Sequence, residues 1–338
     1  MTNADLRLLS VHAHPDDEAS KGAATVARYV AEGAHATLVT CTGGEAGDIL
    51  NPAMDLPEVR ADLGAVRLRE LDASVAAIGY QSLDLLGYLD SGMPDMPENA
   101  DPGNFANAPL DEAVERLVRI IRRDRPQVLI TYGDDQQGYP HPDHLRVHDI
   151  SIVAWDAAGD PDRFPDAGEP WTPLKLYYSA WARARFLAMH QGFLDRGLES
   201  PFDEKWFSRP SQDDRITTRI DIRDHYSART AALIAHATQI DPTSPFWFGL
   251  PDDVVAELAR SVGGRASAPQ EERADGVSPV HAVKELDDVF LLPPEVALKL
   301  GDSELSAEGG THQIRDQPNA DQSAQNRRQS RPEAVECA

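Results

Sequence analysis

Twice along the chain, an apolar run typical of a buried strand leads directly into a short cluster of histidine and acidic residues. The first cluster, HAHPDDE at residues 12–18, follows the apolar run at residues 6–11 and precedes a helical pattern at residues 19–31. The second cluster, GYPHPDH at residues 138–144, follows another strand-like run at residues 128–131. Because open α/β sheets bind ligands outside the carboxyl ends of their strands, the two clusters can meet at one edge of such a sheet.

The rest of the chain repeats this alternation of strands and helices. Further strands are predicted at residues 36–41, 82–86, 174–179 and 216–222, and helices at residues 57–79, 110–123, 145–157, 185–196 and 224–238. Parallel sheets with right-handed crossovers are the usual product of such an alternation. We therefore expect an α/β, Rossmann-like fold, with a mostly parallel sheet flanked by helices and a smaller irregular C-terminal part.

Three regions of the chain differ in regularity. Residues 1–157 carry both clusters and form the predicted α/β core, and residues 158–300 are expected to complete the fold and its substrate cleft. Residues 301–338 contain no aromatic residue and many Gln, Asn, Ser and Asp residues. Such a composition cannot bury enough apolar surface to fold, so it predicts a disordered tail.

Composition excludes several classes of partner. The net charge of −24 disfavours nucleic acid and anionic membranes, because both attract basic surfaces. No apolar run approaches the roughly 20 residues of a membrane span. The two cysteines, Cys41 and Cys337, indicate no disulfide framework and fit a reducing cytoplasm. The sequence predicts a cytoplasmic protein with a small-molecule substrate, and it predicts no oligomeric state.

The residue types in the two clusters are those of a catalytic metal site. Two imidazoles and one carboxylate bind zinc while leaving a coordination position open, and His14, Asp17 and His144 supply this set. Asp16 and His141 then remain free to transfer protons. Asp and Pro also favour turns and helix starts whatever the function, which is the alternative interpretation. The occurrence of two such clusters in matching contexts favours the metal site.

HAHPDDE followed by HPDH resembles the LmbE/PIG-L-like zinc N-deacetylases and amidases. Within that family, the branch that hydrolyses mycothiol S-conjugates is similar to this chain in five further stretches, at residues 20–25, 41–45, 49–52, 194–201 and 235–239. The resemblance extends from about residue 6 to about residue 290. It implies one Zn²⁺ per chain, with Fe²⁺ as the alternative metal, and hydrolysis of a linear amide.

A mechanism assigns roles to the remaining residues of the clusters. We expect Asp16 to take a proton from the attacking water, and His141 to protonate the leaving amine. Asp143 is predicted to orient His141 through an imidazole–carboxylate hydrogen bond, and Tyr139 to donate a further hydrogen bond.

Three residues outside this group are predicted to bind substrate. The resemblance implies that Arg67 contacts the substrate and that Asp90 binds sugar hydroxyls, although Arg67 could lie on a solvated helix face and Asp90 could bond its own turn. Lys21, four residues after Asp17, is predicted to separate conjugate amidases from deacetylases, and the alternative is a solvated lysine. His236 is expected to act indirectly, since its spacing indicates no ligand role.

Other functions remain open at this point. One is the N-acetylglucosaminyl-inositol deacetylase of mycothiol biosynthesis. Another is an amidase of antibiotic biosynthesis (lincomycin-type), which the tail and the unusual loop at residues 133–138 favour. A catalytically silent zinc-stabilised or sugar-binding module is disfavoured, because holding a metal requires neither Asp16 nor His141.

Overall fold

Seven strands form one mixed sheet among the residues that the structure describes. The computed structural model describes residues 5–134, 139–255, 258 and 287–291. The strands are β1 (Arg7–His12), β2 (His35–Thr42), β3 (Ser82–Tyr88), β4 (Val128–Tyr132), β5 (Lys175–Ala180), β6 (Thr218–Asp221) and β7 (Asp287–Leu291).

The first five strands are parallel and the last two are antiparallel to their neighbours. β1 lies at the centre of the parallel part, paired with β2 on one side and β4 on the other. β3 and β5 extend it outward, and β7 pairs antiparallel with β5 and β6. The prediction of an α/β fold with a mostly parallel sheet is confirmed.

The strands bury both faces of the sheet beneath helices. Leu9 and Val11 of β1 pack in one core with the helices at residues 110–124 and 142–158. Leu8 packs in a second core with the helices at residues 23–31, 63–78 and 226–235. This alternation is expected because successive side chains of a strand point to opposite faces. The helices are α1 (Asp17–Ser20), α2 (Ala23–Ala31), α3 (Pro57–Arg60), α4 (Leu63–Ile78), α5 (Leu110–Asp124), α6 (Pro142–Ala158), α7 (Arg183–Leu194), α8 (Glu204–Phe207), α9 (Tyr226–Ala235) and α10 (Pro245–Phe248).

The helix after the first cluster differs from its prediction. The single helix expected at residues 19–31 is two helices, α1 and α2, because Gly22 has a φ of +100° that a helix cannot accommodate. Lys21 is therefore the C-cap of α1 and does not lie within a continuous helix. The glycine redirects the chain, so the lysine side chain remains beside the first cluster.

The helix after the second cluster begins earlier than predicted. α6 starts at Pro142 rather than at residue 145, because proline suits the first helical position and His141 caps the helix. Asp143 and His144 consequently lie in its first turn and not in the preceding loop.

Two segments that the sequence analysis singled out lie outside the described residues. This applies to residues 135–138 of the unusual loop and to the predicted tail at residues 301–338. The division at residue 157 stays a prediction, and β5 beyond it pairs with β4 in the same sheet. Within the described ranges, no helix combines the length and apolarity needed to cross a bilayer.

Candidate active site

The ends of two adjacent strands bring the two sequence clusters together. β1 ends at His12 and β4 ends at Tyr132, and these two side chains approach within 3.2 Å, from Nδ1 to the hydroxyl oxygen. The Tyr132 hydroxyl also accepts a hydrogen bond of 3.0 Å from the backbone N–H of Ala13. His14 and His144, one from each cluster, consequently face each other with ring centroids 5.4 Å apart.

The three residues predicted as metal ligands converge at this point. Potential ligand atoms of His14, Asp17 and His144 all lie within 4.8 Å of one another, and all three residues are buried. Oδ2 of Asp17 is 3.5 Å from Nδ1 of His14 and 3.4 Å from Nε2 of His144. The backbone N–H of His14 donates to the same oxygen at 3.0 Å, which holds the carboxylate within its loop.

The chemistry of these residues fits a divalent metal. Burial lowers the pKa of His144 to about 4, so the imidazole is neutral, as a metal ligand must be. Burial would raise the pKa of Asp17, but the charge of Lys21 and the hydrogen bond with His14 hold it well below its usual range. Nδ1 of His144 is buried without a hydrogen-bond partner among the described residues. A neutral imidazole and an ionised carboxylate are zinc donors.

A second group that could hold a metal shares one residue with the first. His14 also lies with Asp90, His141 and Asp143, whose potential ligand atoms are within 4.8 Å of one another. Oδ2 of Asp143 is 3.1 Å from Nε2 of His14 and accepts a 2.9 Å hydrogen bond from the backbone of Ser91. Burial would lower the pKa of His14, but the three carboxylates around it, of Asp143, Asp17 and Asp90, raise it well above its usual value. A bound metal would compete with that proton.

The structure corrects the predicted role of the Asp143 carboxylate. It contacts His14 and Ser91, whereas the backbone N–H of Asp143 donates to Nδ1 of His141 at 3.2 Å. The prediction that an imidazole–carboxylate bond orients His141 was therefore wrong. His141 is oriented as the N-cap of α6, and its Nε2 lies 4.0 Å from the Asp90 carboxylate.

Asp16 differs from Asp17 in conformation and contacts. Its backbone has a φ of +107°, in the left-handed region that favours glycine, and its N–H donates to Glu18 at 3.0 Å. Oδ2 of Asp16 accepts from Arg67 at 2.9 Å. Asp16 belongs to neither metal-ligand group, and burial raises its pKa against the opposing charge of Arg67. A raised pKa makes this carboxylate a better proton acceptor than an ordinary aspartate.

A buried network that the sequence did not reveal supports the Asp16 loop. Glu18 is fully buried, and its Oε1 lies 2.6 Å from Nε2 of His236 and accepts from Ser74 at 2.5 Å. Burial alone would raise the pKa of Glu18, but His236 holds it below its usual value. Glu18 and His236 therefore form an ion pair. His236 thus contacts the first cluster through Glu18, and its indirect role stays a prediction. Glu18 belongs to the first cluster, but its partner His236 is over 200 positions away, and no sequence pattern relates residues so far apart.

Arg67 is buried and does not lie on a solvated helix face. Its guanidinium donates to the carbonyls of Gly44 at 2.5 Å and Pro15 at 2.6 Å, as well as to Asp16. A Cβ atom on Gly44 or Gly47 would lie 2.4 or 2.5 Å from that guanidinium. These glycines therefore make room for an arginine that ties two loops of the site together.

Asp90 bonds its own turn and also lies beside His14, and its contact with sugar hydroxyls stays a prediction. Its Oδ1 accepts from the backbone of Gly92 at 2.8 Å, as an aspartate that bonds its own turn does, and also lies 3.5 Å from Nε2 of His14. Burial would raise its pKa, but His14 holds it well below its usual range. Asp90 is thus an ionised carboxylate beside the metal-ligand group.

Lys21 and Tyr139 complete the rim of the site. The ammonium of Lys21 donates to Oδ1 of Asp17 and lies 5.5 Å from the ring centroid of Tyr132. Because only 20% of its side chain is exposed, Lys21 is not a solvated lysine. Tyr139 is 48% exposed, and its ring centroid is 4.9 Å from that of His144.

Comparison with known proteins identifies the family of this chain. The family model described as PIG-L, GlcNAc-PI de-N-acetylase, matches residues 9–155, which include both clusters. A mycothiol S-conjugate amidase from Streptomyces coelicolor is 45% identical over 267 residues, covering 75% of this chain and 88% of that protein. The chain belongs to the PIG-L family. It is accordingly a hydrolase that acts on amide bonds.

A second relative of this PIG-L protein has a different activity in its name. A 1D-myo-inositol 2-acetamido-2-deoxy-alpha-D-glucopyranoside deacetylase from Thermobispora bispora is also 45% identical, over 268 residues that cover 75% of this chain and 86% of that protein. Overall identity therefore does not distinguish between amidase and deacetylase.

Solved structures agree with the fold. The N,N'-diacetylchitobiose deacetylase of Pyrococcus horikoshii matches with a TM-score of 0.55 at 15% identity, covering 86% of this chain and 85% of that one. GalB, a 4-carboxy-2-hydroxymuconate hydratase from Pseudomonas putida, matches with a TM-score of 0.53 at 15% identity, covering 85% and 95%. At this identity the likeness shows the fold alone, and function must be argued from the site.

Proposed function

We propose that this PIG-L protein is a zinc-dependent amidase that hydrolyses mycothiol S-conjugates, giving an N-acetylcysteine S-conjugate and glucosaminyl-inositol. One observation carries the choice of substrate. Lys21 contacts Asp17 and also lines a cavity that opens to the solvent. An acetyl group needs little space beside the metal ligands, whereas a cysteinyl acyl group with a sulfur substituent needs a cavity of this kind.

In this proposal His14, Asp17 and His144 hold the metal. When bound, zinc would polarise the scissile carbonyl and lower the pKa of a water molecule toward neutrality. The buried, ionised Asp17 and the neutral His144 are already in the protonation states that such a site needs.

The residues that are not ligands carry the proton transfers. Asp16 takes the proton of the attacking water, because its carboxylate is held by Arg67 beside the ligand loop and has a raised pKa. His141 gives a proton to the leaving amine, and the cap that it forms on α6 keeps Nε2 directed toward Asp90 and the site. Tyr139 donates to the developing oxyanion.

The sugar half of the substrate is proposed to lie on the other side of the ligands. The Asp90 carboxylate, beside His14, accepts from the glucosamine hydroxyls. Arg67, which donates to the Pro15 carbonyl and to Asp16, is proposed to contact the substrate from the Asp16 loop. The released glucosamine nitrogen then leaves beside His141, which lies near the Asp90 carboxylate.

The alternative is the N-acetylglucosaminyl-inositol deacetylase, which the equally similar relative from Thermobispora bispora favours. Steady-state kinetics of the purified zinc enzyme on both substrates, in parallel, decides between them. We expect kcat/KM to be at least about tenfold higher on a mycothiol S-conjugate, a difference of about 1.4 kcal/mol in transition-state binding. A higher kcat/KM on N-acetylglucosaminyl-inositol would instead establish the deacetylase.

A further inference from the structure

The cavity that Lys21 borders has a composition that the hydrolytic reaction does not require. It opens between the end of α1, the end of β5 and the helices α7, α9 and α10, with a volume of about 650 Å³ counted out to the solvent. Its walls contain aromatic and cationic side chains: Lys21, Trp181, Arg185, Phe186, Tyr226, Arg229, Phe246 and Trp247. None of the described residues that line it is acidic. In a chain with a net charge of −24, such a cavity is a local site of positive charge.

Two arginines approach one tyrosine inside this cavity. Nη1 of Arg229 donates to the hydroxyl of Tyr226 at 3.1 Å, and Nη2 of Arg185 lies 3.5 Å from the same oxygen. Nε of Arg185 is buried and has no hydrogen-bond partner among the described residues. A buried donor without an acceptor is costly, so an anionic group that accepted from Arg185 would be bound favourably.

Aromatic rings form the rest of the wall. Trp181 is 43% exposed, and its ring centroid lies 5.6 Å from that of Phe186 and 6.3 Å from that of Phe246. The guanidinium of Arg229 is 5.5 Å from the ring centroid of Trp247. An exposed indole beside other rings offers a flat apolar ligand a surface for stacking, at the separations that aromatic pairs prefer.

We propose that this cavity binds the sulfur-linked group of the substrate and selects a flat aromatic ring that carries a carboxylate. The inference rests on the proposed function, because it places the sulfur substituent on the cavity side of Lys21 and the scissile amide on the side of Asp17. The ring stacks against Trp181, and the carboxylate accepts hydrogen bonds from Arg185 and Arg229. Lys21 lies between the cavity and the metal ligands, because it lines the cavity and its ammonium contacts Asp17.

The test compares two mycothiol S-conjugates that differ in charge and little in size, the S-(4-carboxybenzyl) and the S-(4-methylbenzyl) conjugates. In the zinc-loaded wild-type enzyme, we expect kcat/KM to be about tenfold higher for the carboxylate, as for one charge-assisted hydrogen bond. Arg185→Gln should bring that ratio close to one. The matched control is Arg183→Gln, on the same helix but outside the cavity wall, which should leave the ratio at its wild-type value.

A binding measurement separates this inference from the proposed function. The enzyme is titrated with S-(4-carboxybenzyl)-N-acetylcysteine and, separately, with S-(4-methylbenzyl)-N-acetylcysteine. Binding is followed by tryptophan fluorescence, because Trp181 and Trp247 line the cavity. Tighter binding of the 4-carboxybenzyl compound, lost in Arg185→Gln and kept in Arg183→Gln, supports the cavity assignment even if neither conjugate is hydrolysed. Equal affinity for the two compounds, or a charge preference that survives Arg185→Gln in a variant with wild-type circular dichroism, overturns it.

Discussion

Asp16 and Asp17 are adjacent carboxylates in different surroundings. Asp17 is buried between His14 and His144, whereas Asp16 has 27% of its side chain exposed and pairs with Arg67. The left-handed backbone of Asp16 turns its carboxylate away from the ligand group that includes its neighbour. One residue can therefore serve as a base while the next serves as a ligand.

Asp16→Asn tests that division. The amide keeps the size of the side chain and an oxygen for Arg67, so metal content should stay near the wild-type value. It cannot accept a proton as a carboxylate does, and kcat should fall by roughly two to four orders of magnitude, the usual contribution of general acid–base catalysis. Steady-state kinetics and metal analysis are made on the same samples. Loss of metal with unchanged activity per bound metal would reverse the assignment of base and ligand.

Lys21→Ser tests the residue that borders both the ligands and the cavity. Loss of the ammonium should lower kcat/KM on a mycothiol S-conjugate by about 1 to 3 kcal/mol, the worth of a charged hydrogen bond. Activity on N-acetylglucosaminyl-inositol should fall less or should rise. Because Lys21 also contacts Asp17, metal content is the control. An equal loss on both substrates, or none on either, would remove Lys21 from the account of specificity.

The residue types of the site could be predicted from the sequence, but several contacts could not. The clusters were recognisable because His14, Asp17 and His144 sit in short polar motifs after apolar strands. The partners of Asp143 were not, because Ser91 belongs to a loop 52 residues away. Hydrogen bonds between distant loops depend on tertiary packing and leave no periodic pattern in the sequence.

At the scale of elements, the sequence predicted the strands better than the breaks between helices. The sequence pattern located β1 to β6 to within two residues at each end, because burial on both faces of a parallel sheet produces apolar runs. It did not predict β7. Residues 57–79 were expected to form one helix, yet α3 and α4 are separate. Gly79 ends α4 in the left-handed conformation. A short interruption barely changes helical spacing, so periodicity alone does not locate it.

Arg122 of α5 stabilises the end of a neighbouring helix. Its guanidinium donates to backbone carbonyls at the end of α6 and in the loop that follows, at 2.7 to 3.2 Å, namely those of Ala157, Ala158, Asp160, Arg163, Phe164 and Gly168. Terminal helix carbonyls have no intrahelical partners, so a buried cation at that position can donate hydrogen bonds to them. Its positive charge also interacts favourably with the negative end of the helix dipole.

We expect Arg122→Leu to lower the free energy of unfolding by about 3 to 5 kcal/mol, because several buried carbonyls would lose their donors. Urea denaturation followed by circular dichroism measures the change. Arg119→Leu is the matched control on the same helix: half of the Arg119 side chain is exposed, so its ion pair with Glu115 should contribute about 1 kcal/mol or less. Similar losses for the two variants would contradict the capping role of Arg122.

At the scale of the whole molecule, the site depends on a sheet that places β1 and β4 side by side. Their adjacent carboxyl ends bring together residues that are about 130 positions apart in the sequence, His14 and His144. The loop after β3 adds Asp90 from a third position. The central claim is that this convergence holds one metal ion on which amide hydrolysis depends.

Metal content and amidase activity, measured together as the enzyme is chelated and then supplied with zinc, test that claim most directly. We predict about one equivalent of divalent metal in the active protein, loss of activity in step with loss of metal, and recovery at one equivalent of zinc. His144→Ala should fail to recover either quantity. Full activity in wild-type protein that contains less than about a tenth of an equivalent of metal would contradict the account.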